Sequence, residues 1–173
     1  MRKILIVVDM QNDFIDGALG TPEARAIVPN VVEKVKNWKG MAVFTRDTHF
    51  PDYMDSLEGK KLPVPHCMIG THGHAINNQI KEVINPNTIT IDKLTFGFEN
   101  WRQVLGEFGV DTEFELCGVC TDICVISNAL ALRMLYPDAL ITVDASCCAG
   151  VTPEKHAAAL EVMKSCQIDV INE

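Results

Sequence analysis

The feature that most constrains the fold is a series of short, almost continuous apolar runs, rich in β-branched residues. A strand that is buried on both faces is apolar at successive positions, as in a parallel sheet covered by helices on both sides. Segments with apolar residues at helical spacing separate most of these runs, so strands and helices alternate. The predicted strands are residues 3–8, 41–45, 88–91, 114–119, 140–143 and 168–171.

The alternation predicts a three-layer α/β/α sandwich around a mainly parallel, six-stranded sheet of the Rossmann-like kind. A chain of 173 residues with 47% apolar content suits a single domain, residues 1–173. The irregular stretch 50–74, rich in Pro, Gly, Asp and His, is predicted to be a lid or a wall of the site, because long loops are usually functional. The predicted helices are residues 22–38, 75–84, 99–108, 122–135 and 153–165.

Composition limits the partners and the compartment. The net charge is −8 and no basic run is longer than Lys60-Lys61, so we expect small-molecule partners rather than nucleic acid or a membrane. The N-terminal apolar run stops at Asp9, which is too short for a signal peptide, and no run approaches the ~20 residues of a membrane span. Seven cysteines, an odd number with two adjacent, argue against a disulfide framework. A cytoplasmic location is therefore expected.

Polar residues follow four of the predicted strands, where ligands bind in open α/β sheets. These residues are Asp9, Asp47, Lys93 and, in the turn after the fourth strand, Cys124. If Thr121 caps the following helix, the Cys124 sulfur lies in its first turn, where the helix dipole favours a thiolate. Lys93 would lower the pKa of the thiol further, and Asp9 could accept its proton. The sequence therefore predicts a cysteine nucleophile.

The turn around the same cysteine has two further interpretations. Backbone N–H groups of Cys120 and Cys124 could hold the oxyanion of a tetrahedral intermediate. Alternatively, Cys117 and Cys120 form a C-x-x-C motif like that of a disulfide oxidoreductase, although here the motif ends a strand instead of opening a helix. Taken singly, a strand-terminal Asp is often only a cap, and a Lys is often only solvated. The convergence of four strand ends favours the catalytic interpretation.

A second group of candidate residues lies in and beside the irregular stretch. Asp47, His49, Glu58 and His66 offer carboxylates and imidazoles, which suit Zn, Mn or Fe. Their spacing over twenty residues is weak support by itself. A metal site and a set of ordinary surface residues both remain open at this point.

Five motifs occur in order along the chain: D-M-Q-N-D-F at 9–14, D-T-H at 47–49, P-H-C-M-I-G-T at 65–71, Lys93 followed by G-F, and G-V-C-T-D-I-C-V at 118–125. Together they resemble the isochorismatase-like cysteine hydrolases, in particular their nicotinamidase-like branch. The resemblance implies that Asp9, Lys93 and Cys124 are catalytic. It also implies a cis peptide bond between Val119 and Cys120 that turns the Cys120 amide toward the oxyanion.

The resemblance also implies a divalent metal, with Zn as first choice and Mn or Fe as alternatives. Its ligands would be Asp47, His49 and His66. The fourth ligand is a His in some relatives and a Glu in others, which makes Glu58 the candidate in this chain.

The resemblance implies hydrolysis of a small primary amide, because Cys124 is retained and can form a thioester. The segment 62–66, directly around Pro65, contains no Trp, whereas many nicotinamidases carry a stacking aromatic residue there, so Phe14 or Phe98 is expected to offer the ring face. A ureido or carbamoyl amide substrate and a non-catalytic, small-molecule binding protein remain alternatives. Relatives of this kind are commonly homo-oligomers, and we expect the same of this chain.

Overall fold

The sheet order brings the polar strand ends of the chain together. The structure, a computed structural model, describes residues 2–106 and 111–173, and within them six parallel strands lie in the order β3-β2-β1-β4-β5-β6. The predicted α/β/α sandwich is confirmed. In chain order the elements are β1 (Arg2–Val8), α1 (Asn12–Ile15), α2 (Pro22–Asn37), β2 (Met41–Asp47), α3 (Leu57–Lys61), α4 (Asn78–Lys81), β3 (Ile89–Lys93), α5 (Trp101–Leu105), β4 (Thr112–Val119), α6 (Ile126–Leu135), β5 (Leu140–Ala149), α7 (Pro153–Ser165) and β6 (Asp169–Ile171).

Helices cover both faces of the sheet, which explains the continuous apolar runs. In β1, residues 4–8 are all fully buried, whichever face they point to. Helices α1, α2 and α4 contact one another, and α5, α6 and α7 form a second group. Helix α2 begins where the Thr21 hydroxyl accepts a hydrogen bond from the Ala24 amide (3.0 Å), with Pro22 in its first turn. None of the helices in the described ranges is long and apolar enough to cross a bilayer.

Several elements differ from their predicted bounds. Strand β5 is longer than predicted because a bulge lets it continue beside β4. The segment 75–84 holds only the short α4, and the stretch 50–74 contains a 3₁₀ turn, Tyr53–Asp55, followed by α3. The predicted helix 99–108 is shorter, with α5 ending at Leu105, and Phe108 lies outside the described residues.

The turn after β4 differs from a capped helix. Thr121–Val125 form a π-helical turn that leads directly into α6, and Cys120 takes the N-cap position. The expectation that Thr121 caps this helix is wrong, because its hydroxyl lies 2.8 Å from His156 Nδ1 of α7. Thr121 therefore links the turn to the neighbouring helix instead of to its own backbone.

A close approach of β1 to β4 depends on Gly118. Its φ is +120°, a conformation that side chains disfavour, and a Cβ atom there would lie 2.1 Å from the Val8 carbonyl oxygen. Val8 is also its partner in the parallel register. Glycine thus allows the ends of the two strands, and the polar residues that follow them, to lie side by side.

The bulge of β5 is held by a partly buried ion cluster. The Lys34 ammonium of α2 lies 2.6 Å from Asp144 Oδ2 and also contacts the Glu115 carboxylate of β4. The hydroxyl and backbone amide of Ser146 donate to Asp144 Oδ1, at 2.7 and 3.1 Å. Burial alone would raise the pKa of Asp144, but the hydrogen bonds from Lys34 and Ser146 outweigh it and hold the pKa below its ordinary value.

We predict that Lys34→Met lowers the free energy of unfolding by about 3–5 kcal/mol at neutral pH, because two enclosed carboxylates lose their partner. Since the pKa of Asp144 is lowered by folding, its contribution is present above its ordinary pKa of 3.8 and disappears as the pH falls through the lower folded value. Urea unfolding at neutral pH and at about pH 3 measures this effect. The difference in unfolding free energy between the variant and wild type should be smaller at about pH 3 than at neutral pH.

The matched control for this variant is Lys3→Met. Lys3 lies 3.1 Å from Glu113, but its side chain is 54% exposed, so its loss should cost less than about 1 kcal/mol. An equal loss of unfolding free energy in the two variants would contradict the stabilising role of the Lys34 cluster.

Candidate active site

Side chains from four strand ends meet at the carboxyl edge of the sheet. Asp9 follows β1, Asp47 ends β2, Lys93 ends β3 and Cys124 lies in the turn after β4. The Lys93 Nζ atom lies 2.6 Å from Asp9 Oδ2, 3.6 Å from Cys124 Sγ and 3.5 Å from Asp47 Oδ1. All four residues are buried. Lys93 is therefore the point at which the predicted catalytic and metal-binding groups join.

The charges of Asp9 and Lys93 depend on each other. Burial alone would lower the pKa of Lys93, but Asp9, Cys124 and Asp47 outweigh burial and raise it, so the amine stays protonated. Burial raises the pKa of Asp9, although Lys93 opposes this shift. The Thr45 hydroxyl donates to Asp9 Oδ1 at 2.7 Å, which leaves Oδ2 for Lys93. Asp9 thus forms an ion pair with Lys93 and still has a raised pKa.

The surroundings of the Cys124 thiol oppose the thiolate that the sequence predicts. Burial raises the pKa of Cys124 well above its ordinary value, the Asp9 carboxylate raises it further, and Lys93 opposes both only in part. The effect of burial on the pKa of Cys124 therefore outweighs that of the helix turn, which favours a thiolate. The Asp9 carboxylate lies close to the sulfur, because Lys93 Nζ is 2.6 Å from Asp9 Oδ2 and 3.6 Å from Cys124 Sγ.

The backbone before Cys124 follows an unusual path. The peptide bond between Val119 and Cys120 is cis, and the Cys120 carbonyl accepts hydrogen bonds from the amides of Ile123 (3.0 Å) and Val125 (3.1 Å). Cys120 and Cys124 line the same cavity. The two residues expected to hold an oxyanion therefore border one space.

Asn128, which the sequence analysis missed, holds this turn in place. Its side chain donates to the Cys124 carbonyl at 2.8 Å and accepts from the Phe98 amide at 2.9 Å and from Trp101 Nε1 at 3.2 Å. It is fully buried. The sequence feature that could have identified Asn128 is its position one helical turn after Cys124. A buried Asn at that spacing needs hydrogen-bond partners, and the backbone of the turn is within reach.

The four predicted metal ligands also form a cluster. Their ligand atoms all lie within 4.8 Å of one another. Asp47 Oδ2 lies 2.9 Å from His49 Nε2 and 3.4 Å from His66 Nε2, and Glu58 Oε1 lies 3.6 and 3.7 Å from the same two nitrogens. Two imidazoles and two carboxylates at this spacing fit a divalent ion such as Zn, Mn or Fe.

Neighbouring groups prepare the cluster to hold a cation. His66 Nδ1 faces the Val64 carbonyl at 2.8 Å, which fixes the ring and leaves Nε2 toward the cluster. Burial would raise the pKa of Asp47, but hydrogen bonds with His49 and His66 outweigh it and lower the pKa well below the ordinary range. Asp47 is therefore ionised, as a metal ligand must be.

Gln11, a second residue that the sequence analysis missed, fixes the end of β2. Its side-chain oxygen accepts from the Asp47 amide at 2.7 Å, and its Nε2 donates to the carbonyls of Asp47 at 2.8 Å and His74 at 2.9 Å. Gln11 is fully buried. Gln11 holds Asp47 through the backbone. Because the two residues are far apart in the sequence, only the folded structure shows this role.

A cavity of about 670 Å³ opens above the Cys124 sulfur. Phe14 lines it, as expected, but Phe98 does not: its ring packs edge-on against Trp101, with 5.1 Å between ring centroids. Phe96, two residues earlier in the chain, lines the cavity in place of Phe98. The aliphatic lining residues are Leu19, Leu57, Leu62, Leu94, Ile123 and Val151.

Proteins of known family resemble this chain along its length. A family model for the isochorismatase domain matches residues 3–173. A nicotinamidase/pyrazinamidase of Mycobacterium tuberculosis is 30% identical, with 98% of each chain covered.

Solved structures give the same result. The crystal structure of a nicotinamidase/pyrazinamidase from Bacillus subtilis matches with a TM-score of 0.83 and 27% identity, covering 99% of this chain and 100% of that one. The structure of a pyrazinamidase from Pyrococcus horikoshii in complex with zinc matches with a TM-score of 0.81 and 28% identity, covering 100% of both chains. These matches confirm the family predicted from the five motifs: the chain belongs to the isochorismatase family.

Proposed function

We propose that this protein hydrolyses a small primary amide to the carboxylic acid and ammonia, as a nicotinamidase does. The observation that carries the proposal is the position of Lys93 Nζ, 2.6 Å from Asp9 and 3.6 Å from the Cys124 sulfur at an open cavity. The relatives named nicotinamidase or pyrazinamidase support the same class of reaction. One hydrolase domain over residues 1–173 is part of this proposal.

The first half of the reaction forms a thioester. As the Cys124 sulfur attacks the amide carbonyl carbon, its proton moves to Asp9, whose carboxylate contacts the same Lys93 ammonium as the sulfur does. The carbon–nitrogen bond then breaks, and Asp9 returns the proton to the leaving nitrogen, which departs as ammonia. Lys93 stays protonated beside both groups and stabilises the negative charge as it moves between them.

The second half releases the acid. Water attacks the thioester carbonyl and gives a proton to Asp9, the carbon–sulfur bond breaks, and the proton returns to Cys124 as the carboxylic acid leaves. We assign the backbone amides of Cys120 and Cys124, which both border the cavity, to the oxyanion in each half. No other reactant is needed, because water supplies all the atoms that the products gain.

Asp47, His49, Glu58 and His66 would hold a divalent metal, for which Zn is our first choice and Mn or Fe an alternative. When bound, the ion would supply a Lewis acid that orients a ring nitrogen of the substrate or a water molecule. Asp47 also lies 3.5 Å from Lys93, so its position affects the catalytic ion pair as well as the metal.

A ureido or carbamoyl amide would use the same three residues, and purified protein without stoichiometric metal would favour that substrate class. The contact of Lys93 with Asp9 and Cys124 argues against a non-catalytic binding protein. We further propose a cytoplasmic enzyme, which the seven free cysteines support. Assembly into a homo-oligomer stays a prediction.

We predict that Cys124→Ala lowers the rate of ammonia release by at least about 10³-fold, because the nucleophile is gone. Circular dichroism and bound metal should stay as in wild type, since Cys124 is not a metal ligand. Cys166→Ala, at the far end of α7, is the control and should keep full activity. Ammonia release near the wild-type rate from the Cys124 variant would refute the proposed mechanism.

We predict that Asp9→Asn separates thiol reactivity from catalysis. Hydrolysis should fall by about 10²–10⁴-fold, because the proton acceptor is lost. At the same time the pKa of Cys124 should fall, because the Asp9 charge that raises it is removed while Lys93 remains.

Iodoacetamide labelling of Cys124 at neutral pH, followed by peptide mass spectrometry, measures this change. Labelling should be faster in Asp9→Asn than in wild type. If the variant is labelled at the wild-type rate or more slowly, the assignment of Asp9 as the acceptor of the thiol proton is wrong.

We predict that His66→Ala weakens divalent metal binding by about 10–100-fold or more, because a buried ligand is lost. Elemental analysis of the purified protein and titration with a chelator measure this effect. His72→Ala is the matched control, because His72 is exposed and lies outside the cluster. Full metal retention by the His66 variant would contradict the proposed site.

A further inference from the structure

The cavity above Cys124 is larger than a single-ring carboxamide requires. Its volume of about 670 Å³ lies within the roughly 300–1,000 Å³ of pockets that enclose drug-sized ligands. Pyridine carboxamide is far smaller than such a ligand. Most of the space is therefore available to a part of the substrate that does not react.

The mouth of this cavity is aliphatic and exposed to solvent. Leu57, Leu62 and Leu94 are 70%, 38% and 63% exposed, and all of them line the cavity. Two rings, Phe14 and Phe96, also contribute, and Phe96 is 46% exposed. Exposed apolar side chains gathered around one opening mark a binding surface, because water contact with them is unfavourable. Branched aliphatic groups fit a flexible chain as well as a flat ring.

Two cations border the same cavity. Lys61 comes from α3 and Lys155 from α7, and both are exposed. Neither has an ion-pair partner within residues 2–106 and 111–173. The acidic lining residues, Asp47 and Glu58, lie within 4 Å of His49 and His66 instead. The cavity therefore presents two ammonium groups that a ligand can neutralise.

We propose that the preferred substrates are primary amides with an aliphatic body that reaches further from the amide than a pyridine ring does, and with a carboxylate at the end opposite the amide. The amide would reach Cys124, the body would cover the apolar mouth, and Lys61 and Lys155 would hold the carboxylate. This inference rests on the proposed amide hydrolysis and adds the substrate class. Contacts with the remote, unreactive part of a substrate are able to supply binding energy to the reaction.

Matched linear amides test the proposal. Adipamic acid carries a terminal carboxylate, hexanamide ends in a methyl group and ε-aminocaproamide ends in an ammonium, while nicotinamide represents the single ring. Ammonia release should give the highest kcat/KM for adipamic acid, then hexanamide, then ε-aminocaproamide, with adipamic acid also above nicotinamide. The advantage of adipamic acid over hexanamide should shrink at high salt, because exposed charges are screened.

Substitution of the two lysines supplies a second readout. Lys61→Gln combined with Lys155→Gln should raise KM for adipamic acid by about 3- to 20-fold, leave kcat unchanged and leave hexanamide unaffected, since each exposed ion pair contributes little. Lys60→Gln is the matched control, because Lys60 lies beside Lys61 in α3 but does not line the cavity.

Three results would overturn this inference and leave amide hydrolysis intact. They are a preference for nicotinamide over every linear amide, equal rates with adipamic acid and ε-aminocaproamide, and a double variant that behaves like Lys60→Gln. If none of the amides, nicotinamide included, releases ammonia, the proposed function fails and this inference fails with it.

Discussion

The active site depends on one buried ammonium, that of Lys93. It lies within 3.6 Å of the Asp9 and Asp47 carboxylates and of the Cys124 sulfur. A buried carboxylate without a partner costs several kcal/mol, and here two carboxylates share one cation. The same charge stabilises whichever of Asp9 and Cys124 is ionised. Lys93 therefore stabilises the buried carboxylates and connects the proposed catalytic residues with the proposed metal ligands.

The parallel sheet makes this contact possible, because it places the ends of β1, β2, β3 and β4 at one edge. Close approach of β1 and β4 requires Gly118, whose missing Cβ would meet Val8. Gln11 fixes Asp47, and Asn128 fixes the turn that carries Cys124, in both cases through backbone groups. In the proposed mechanism the proton passes between Cys124 and Asp9, while the surrounding chain holds both residues in place.

The sequence predicted what local patterns and strand order determine. Continuous apolar runs indicated the parallel sheet, and the polar residues at its strand ends were those that meet in the fold. The pKa of Cys124 is raised instead of lowered, because burial by distant segments outweighs the local effect of the helix turn. Gln11 was missed because it binds backbone groups far along the chain, and Asn128 was missed because its burial, which makes hydrogen-bond partners necessary, is set by the fold. Phe98 was expected at the cavity in place of Phe96, since the direction of the Phe98 ring is set by packing against Trp101.

The most direct test of the account is to find the acyl group during turnover. The enzyme is mixed with the amide that it cleaves fastest, quenched in acid within one turnover and digested, and its peptides are weighed by mass spectrometry. We predict an acyl group on the peptide that carries Cys124, bound as a thioester that hydroxylamine removes. An acyl group on another side chain, or steady ammonia release with no acylated peptide at any quench time, would contradict the account.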